Sequence, residues 1–197
     1  MQTFDRIIRA FRRMPGVGPR QAERLVSYLL RAPQGEVEEL VRALVELKES
    51  VKLCPVCFSY CEKDICDICS DPDRDKSLIC VVEDPQDIES LEKTKAYNGL
   101  YHVLHGAISM MDGRGAEQIK VRELVERIEQ SKMPVREVII ATDPDSEGET
   151  TALYLADLLR GRVAQISRIG YGVPLGGDID YIDEMTLGYS LKGRTKL

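Results

Sequence analysis

The chain has 197 residues, of which 43% are hydrophobic and 30% charged, and its net charge is −6. These values fit one large globular domain or two to three small ones, and they exclude disordered, collagen-like and low-complexity classes. No apolar run reaches the roughly 20 residues of a membrane helix, and no signal-peptide pattern opens the chain, so we expect a cytoplasmic protein.

Three amphipathic helices are predicted in the first 50 residues. The first covers residues 3–14 and is broken by the segment from Pro15 to Pro19. The second is marked by apolar residues at helical spacing, namely Ala22, Leu25, Val26 and Leu29. The third covers residues 36–49. This part of the chain is therefore predicted to be a small helical unit.

Strands and helices alternate from residue 77 onwards. The predicted strands are residues 78–82, 100–104, 138–141 and 163–169. The predicted helices between them are residues 85–95, 121–128 and 149–160. Such alternation is typical of a parallel sheet with helices on its faces. The last 27 residues are predicted to be a glycine-rich tail with a short helix near 183–192.

Charge is distributed unevenly along the chain. Residues 1–32 contain seven arginines and only two carboxylates, a net charge of +5, which leaves −11 for the remainder. Surface arginines on helices are often only solvated. A basic N-terminal segment followed by an acidic remainder nevertheless indicates two different binding partners.

A glycine-containing turn joins the first two predicted helices. Gly16 and Gly18 free the backbone to turn tightly, and the unpaired N–H groups at the start of the second helix form an anion site. Arg20 and Arg24, one helical turn apart, add positive charge to the same face. The segment resembles the helix-hairpin-helix motif of DNA repair proteins, which predicts sequence-independent contact with the DNA backbone. The alternative is a plain corner between two helices.

Four cysteines form two CxxC pairs separated by eight residues. The pairs are Cys54 with Cys57 and Cys66 with Cys69. Two such pairs can place four thiolates at the corners of a tetrahedron, so we predict one structural Zn²⁺ per chain. A redox CxxC motif is the alternative, but it requires a strand–helix context that this segment lacks.

The two remaining cysteines and the two histidines are predicted to have structural roles. Cys61 is expected to be a spare thiol in the finger loop, and Cys80 a small core residue of a strand. His102 and His105, near the end of the second strand, are expected to be structural rather than metal ligands. Arg114 lies in a glycine-rich loop, and the sequence leaves open whether it contacts a backbone phosphate. No P-loop motif is present in the sequence.

Acidic residues follow two of the predicted strands. Glu83 stands directly after the first strand, and Asp143, Asp145, Glu147 and Glu149 follow the third. The carboxyl ends of parallel strands share one edge of a sheet, so these clusters should converge, and Mg²⁺ prefers such oxygen ligands. Helix N-caps are the alternative explanation for part of the set. Residues 77–170 resemble the Toprim domain of topoisomerases, primases and some nucleases.

The order of these modules is similar to that of the bacterial RecR recombination mediators. The resemblance rests on the hairpin, the four-cysteine finger, Glu83, the segment from Glu147 to Glu149 and the tail segment from Gly172 to Asp178. The resulting fold class is a multidomain α/β protein. Its predicted domains are a helix-hairpin-helix unit (1–52), a four-cysteine zinc finger (53–76), a Rossmann-like Toprim sheet (77–170) and a Walker B-like, oligomerising C-terminal segment (171–197).

The resemblance implies a DNA clamp rather than a catalyst. RecR proteins form ring-shaped homotetramers, built through their N- and C-terminal parts, that act with RecO and RecF to load RecA onto gapped single-stranded DNA. On this basis Arg20 and Arg24 would face the DNA, including single-strand/duplex junctions. Glu83, Asp87, Glu147 and Glu149 would form the acidic face that docks RecO. The protein would be cytoplasmic and associated with the nucleoid.

One departure from the family keeps an enzymatic alternative open. Many members carry an uncharged residue at the position of Asp143, whereas this chain retains the full DxD pattern. Glu83, Asp143 and Asp145 could then hold Mg²⁺ for phosphodiester cleavage, as in a Toprim-type nuclease. A primase-like fragment is a third, weaker hypothesis, because the chain lacks the length for a further catalytic region.

Overall fold

The protein is described by a computed structural model of residues 1–195, and its chain divides into two compact units, Met1–Lys52 and Leu53–Leu197. The last two residues of the predicted C-terminal segment, 196 and 197, lie outside the described part of the chain. None of the helices in residues 1–195 is long and apolar enough to cross a membrane.

The first unit contains three helices, as predicted: α1 (Gln2–Phe11), α2 (Pro19–Arg31) and α3 (Gln34–Ser50). The prediction that α1 reaches residue 14 is wrong. The N–H groups of Arg13 and Met14 donate to carbonyl oxygens only three residues back, and this tighter turn ends the helix at Phe11. α1 packs against α2, which buries Ala22 and Val26.

The second unit begins with a small finger. Strands β1 (Lys52–Leu53) and β2 (Tyr60–Cys61) pair as a hairpin, and the short helix α4 (Asp67–Ser70) follows them. The buried residues of this finger are Cys54, Cys57 and Cys66. A segment with so small an apolar core needs a further source of stability.

A four-stranded parallel sheet forms the rest of the second unit. Its strands are β3 (Asp75–Val82), β4 (Gly99–Val103), β5 (Glu137–Ala141) and β6 (Gln165–Arg168), and their order in the sheet is β4-β3-β5-β6. The helices are α5 (Pro85–Lys93), α6 (Val121–Glu129), α7 (Ser146–Leu158) and α8 (Glu184–Lys192), with 3₁₀ turns at Ala116–Gln118 and Ile179–Tyr181. The predicted parallel sheet is therefore confirmed.

The sheet is covered on both faces, which explains its continuous apolar strands. Val81, Val138 and Ile140 pack with residues of α6 and α7 in the larger core cluster. Cys80 and Val82 belong to a second cluster that includes Ile88 of α5. The predicted core position of Cys80 is confirmed. The chain runs from β3 to β4 on one side and then to β5 on the other, so the carboxyl ends of β3 and β5 border the crevice where ligands of such sheets bind.

Candidate functional site

The turn before α2 presents a basic helix face. Gly16 has φ = +75°, in the left-handed region that favours glycine, and Gly18 is the extended residue that precedes Pro19 at the helix start. Arg20 and Arg24 are both exposed and, four residues apart, lie on the same face of α2. The positive end of the helix dipole adds to their charge, so this face can hold an anion such as a phosphate.

The four predicted metal ligands come together in the finger. The Sγ atoms of Cys54, Cys57, Cys66 and Cys69 all lie within 4.8 Å of one another, and three of these residues are buried. Tetrahedral Zn–S bonds of about 2.3 Å place sulfur atoms roughly 3.8 Å apart, so the cluster fits one zinc ion with little adjustment. The finger thus holds a structural Zn²⁺, as the cysteine spacing predicts.

Backbone groups hold the sulfur atoms in place. Phe58 N–H donates to the carbonyl oxygen of Cys54 at 2.9 Å, which closes the first turn. Cys66 precedes α4, and its Sγ accepts from Cys69 N–H at 3.4 Å. The hydrogen bond with the Cys66 sulfur, together with burial, raises the pKa of Cys57 to about 12. Crowded thiols of this kind ionise together only when a cation compensates them, as zinc does.

The finger is attached to the sheet at its outer strand, β4. Val103 N–H donates to the carbonyl oxygen of Cys57 at 2.8 Å. The Nε2 atom of His105 lies 2.7 Å from the carbonyl oxygen of Phe58, and that of His102 lies 2.8 Å from the carbonyl oxygen of Lys120. The predicted structural role of both histidines is therefore confirmed.

Glu83 and Asp143 meet at the carboxyl ends of β3 and β5. The Oε1 atom of Glu83 accepts from the backbone N–H of Asp143 at 3.0 Å. Gly148 makes this approach possible, because a Cβ atom there would overlap the carbonyl oxygen of Asp143 and lie 2.9 Å from Glu83 Oε1. The two acidic segments converge as the strand order predicts.

The remaining predicted carboxylates each have a partner within the fold. Asp145 caps α7 by accepting from the N–H groups of Glu147 and Gly148, at 3.0 and 2.8 Å. Asp87 accepts from Asp84 N–H at 2.8 Å. The N-cap explanation thus accounts for Asp145, although Asp145 is also exposed to solvent.

Two glutamates of α7 contact neighbouring segments. Glu147 accepts from the hydroxyl of Ser109 at 2.5 Å. Glu149 forms an ion pair with Arg168 and accepts from the hydroxyl of Tyr171 at 3.1 Å. Glu149 is therefore neutralised locally, whereas no such cation pairs with Glu83 or Asp143 in residues 1–195.

Negative charge accumulates between β3 and β5. Burial is the first cause that raises the pKa of Glu83, and the charges of Asp143, Asp145 and Asp87 raise it further. Burial and the charges of Asp87 and Asp145 likewise raise the pKa of Asp143. Within residues 1–195, the four cysteines are the only group that brings three or more ligand atoms together, so a magnesium site here stays a prediction.

Glu83→Gln should make the fold more stable at neutral pH. A carboxylate whose pKa is raised in the folded state costs stability above that pKa and none once it is protonated. Glutamine keeps an oxygen to accept from Asp143 N–H. We expect the melting temperature to rise by about 1–3 °C at pH 7.5, a small value because Glu83 is partly solvated, and the gain to vanish near pH 4. Calorimetry at both pH values tests this; an equal gain at pH 4 would contradict it.

Several residues that shape these sites had no signal in the sequence. Gly148 lies in an acidic segment of the sequence. Nothing in that segment indicates that a side chain at this position would collide with Glu83. Arg168 and Ser109 reach Glu149 and Glu147 from segments that are 19 and 38 residues away. Only the alternation of strands and helices could have suggested that these segments meet.

Comparison with protein-family models matches four consecutive parts of the chain. A RecR helix-hairpin-helix model matches residues 4–48, and a RecR four-cysteine zinc finger model matches residues 51–71. A Toprim domain model matches residues 77–170, and a RecR C-terminal model matches residues 172–195. The helix-hairpin-helix and Toprim domains indicate DNA binding. Together the four matches show that the chain belongs to the RecR family and has a role in recombinational DNA repair.

Proposed function

We propose that this protein is a non-enzymatic, sequence-independent DNA clamp that acts with RecO and RecF to promote RecA loading on gapped single-stranded DNA. The observation that carries the proposal is the exposed pair Arg20 and Arg24 at the start of α2, directly after the glycine turn. Phosphate contacts of this kind give affinity without reading bases, and they weaken as salt rises. The protein would be cytoplasmic and associated with the nucleoid.

We further propose a homotetrameric ring that is built through both ends of the chain and assembles by way of dimers. α3 exposes Leu40, Leu44 and Leu47, each about half accessible, on a helix that contributes no buried residue. The C-terminal segment exposes Leu175, Ile179 and Met185 more fully. Apolar surface of this extent is typical of interfaces between chains. We also propose that the chain is divided into four domains, with boundaries after residues 52, 76 and 170.

The acidic edge of the sheet is proposed as the docking face for RecO. The candidate residues are Glu83, Asp87, Asp143, Asp145, Glu147 and Glu149. Burial first, and then the charges of Asp87 and Asp145, raise the pKa values of both Glu83 and Asp143, and a basic partner surface would relieve the repulsion between these carboxylates. Asp143 is the cleanest residue to test, because it is exposed and its side chain makes no hydrogen bond within residues 1–195.

Asp143→Lys should weaken RecO binding by at least fivefold at low salt, because it places a repulsive charge in an acidic docking face. Asp157→Lys is the matched control: its side chain is 79% exposed and lies at the far end of α7. Fluorescence anisotropy with labelled RecO measures both affinities. Equal loss in the two variants, or no loss in either, would exclude this edge as the RecO face.

The competing function is metal-dependent phosphodiester cleavage by Glu83, Asp143 and Asp145. The observation in its favour is the accumulated negative charge that a divalent cation would also relieve. The two functions differ in one outcome: a clamp leaves bound strands intact, and a nuclease shortens them.

A further inference from the structure

The first zinc-binding turn covers the open edge of the parallel sheet. β4 is an outermost strand, and its Val103 N–H is satisfied by the carbonyl oxygen of Cys57. The Phe58 ring packs edge-on against His102, with ring centroids 5.4 Å apart, and Lys120 Nζ lies 5.2 Å from the Phe58 ring centroid. An unpaired strand edge is a liability that proteins cover, so the position of Cys57 matters to the sheet as well as to the metal.

Arg127 of α6 contacts the same edge of β4. Its Nη1 atom donates to the carbonyl oxygen of Tyr101 at 2.6 Å. Tyr101 and Val103 are two residues apart and present their backbone groups on the same side, about 7 Å along the strand. Arg127 and the Cys57 turn therefore bind neighbouring backbone groups on this edge of β4. The Nη2 atom of Arg127 is buried and has no hydrogen-bond partner among the described residues.

The environment of Arg127 is electrostatically unusual. Burial lowers the pKa of its guanidinium, and the sulfur atoms of Cys69, Cys57 and Cys54 act in the opposite direction. A zinc ion bound by four thiolates carries a net charge of −2. A partly buried cation and a buried anionic centre, each costly alone, stabilise each other when they are close.

We propose that Arg127 is a positioning residue that supplies the counter-charge of the zinc centre and ties the metal site to the edge of the sheet. Lys120, which lies near the Phe58 ring of this turn, is paired with Glu123 at 2.7 Å and partly exposed. Among the described residues at this turn, Arg127 has both a buried Nη2 atom without a hydrogen-bond partner and a hydrogen bond to β4. The proposal rests on the zinc site and is independent of the proposed DNA and RecO contacts.

The test is the rate at which the zinc-loaded full chain releases its metal to excess chelator. Arg127→Gln should release zinc at least tenfold faster than the parent, because loss of a group that supports the metal ligands lowers metal affinity by roughly tenfold or more. Arg127→Lys retains the charge and should stay within about threefold of the parent. The matched control is Arg122→Gln, because Arg122 lies on the same helix and is 79% exposed. Release at the parental rate from Arg127→Gln, or equal release from the Lys and Gln variants, would overturn the proposal.

A measurement on the parent protein does not depend on the folding of any variant. The side-chain Nε–H resonance of Arg127 should shift or broaden when zinc is removed, whereas that of Arg122 should not. An Arg127 resonance that is unchanged by zinc removal, under conditions in which the cysteine resonances move, would also overturn the proposal.

Discussion

Reversing the charge of both arginines at the start of α2 should lower affinity for gapped DNA by roughly a hundredfold at about 0.1 M salt. Arg20→Glu with Arg24→Glu removes the two proposed phosphate contacts per chain and adds two repulsive charges to the same helix face. The slope of binding against salt concentration should also become shallower, because fewer counterions are released. Fluorescence anisotropy with labelled gapped DNA, at several salt concentrations, measures both quantities.

The control for this result must change net charge equally without touching the hairpin. Arg122→Glu with Arg160→Glu meets this need, since both side chains are 79% exposed. Arg122 pairs with Glu126 of its own helix, and Arg160, which follows α7, pairs with Asp157 of that helix. We expect the affinity of this control variant for DNA to fall less than threefold, because only the overall electrostatic field of the protein changes. If the hairpin variant bound DNA as tightly as the control, α2 would not be the DNA-binding face.

Loss of the zinc site should have the largest effect on stability. Cys57→Ser removes one of four thiolates that lie within 4.8 Å of one another, in a finger with little apolar core of its own. Structural zinc supplies much of the folding free energy of such segments. We expect the melting temperature to fall by roughly 10 °C or more, equivalent to several kcal/mol for a chain of this size. Calorimetry with a metal assay checks this.

The destabilising effect of Cys57→Ser should extend to the parallel sheet through β4. Since Val103 N–H donates to the carbonyl oxygen of Cys57, its amide should lose hydrogen-exchange protection in Cys57→Ser. Cys61→Ser is the control: Cys61 lies outside the zinc cluster, and its Sγ donates to the carbonyl oxygen of Lys63 at 3.1 Å, as serine also can. A Cys57→Ser chain that kept its zinc and its melting temperature would contradict the assignment.

The sheet was predictable because its strands are apolar on both faces. The runs at 78–82 and 138–141 lie in β3 and β5, and the alternation of strands and helices indicated parallel pairing. Errors occur where local hydrogen bonds, not a periodic pattern, set the boundary of a helix. α7 begins at Ser146 rather than near 149 because the carboxylate of Asp145 caps it.

The sequence predicted the residues of these sites to different extents. The spacing of the cysteines alone identifies the zinc ligands, since all four come from a 16-residue segment. The convergence of Glu83 and Asp143 followed from their positions at the carboxyl ends of parallel strands, but the space at Gly148 that permits it did not. Arg127 had no signal at all, because its partner Tyr101 lies 26 residues away and the zinc ligands more than 50. Contacts of this range depend on packing between elements.

The most direct test of the central proposal follows binding and strand length in one reaction. Zinc-loaded protein is mixed with end-labelled gapped DNA in the presence of Mg²⁺ or Mn²⁺ and, separately, with a chelator too weak to remove the zinc. A clamp and mediator should retain the DNA with all strands intact under both conditions. Metal-dependent shortening that disappears in Glu83→Ala would contradict this account and identify the acidic edge as a phosphodiesterase site.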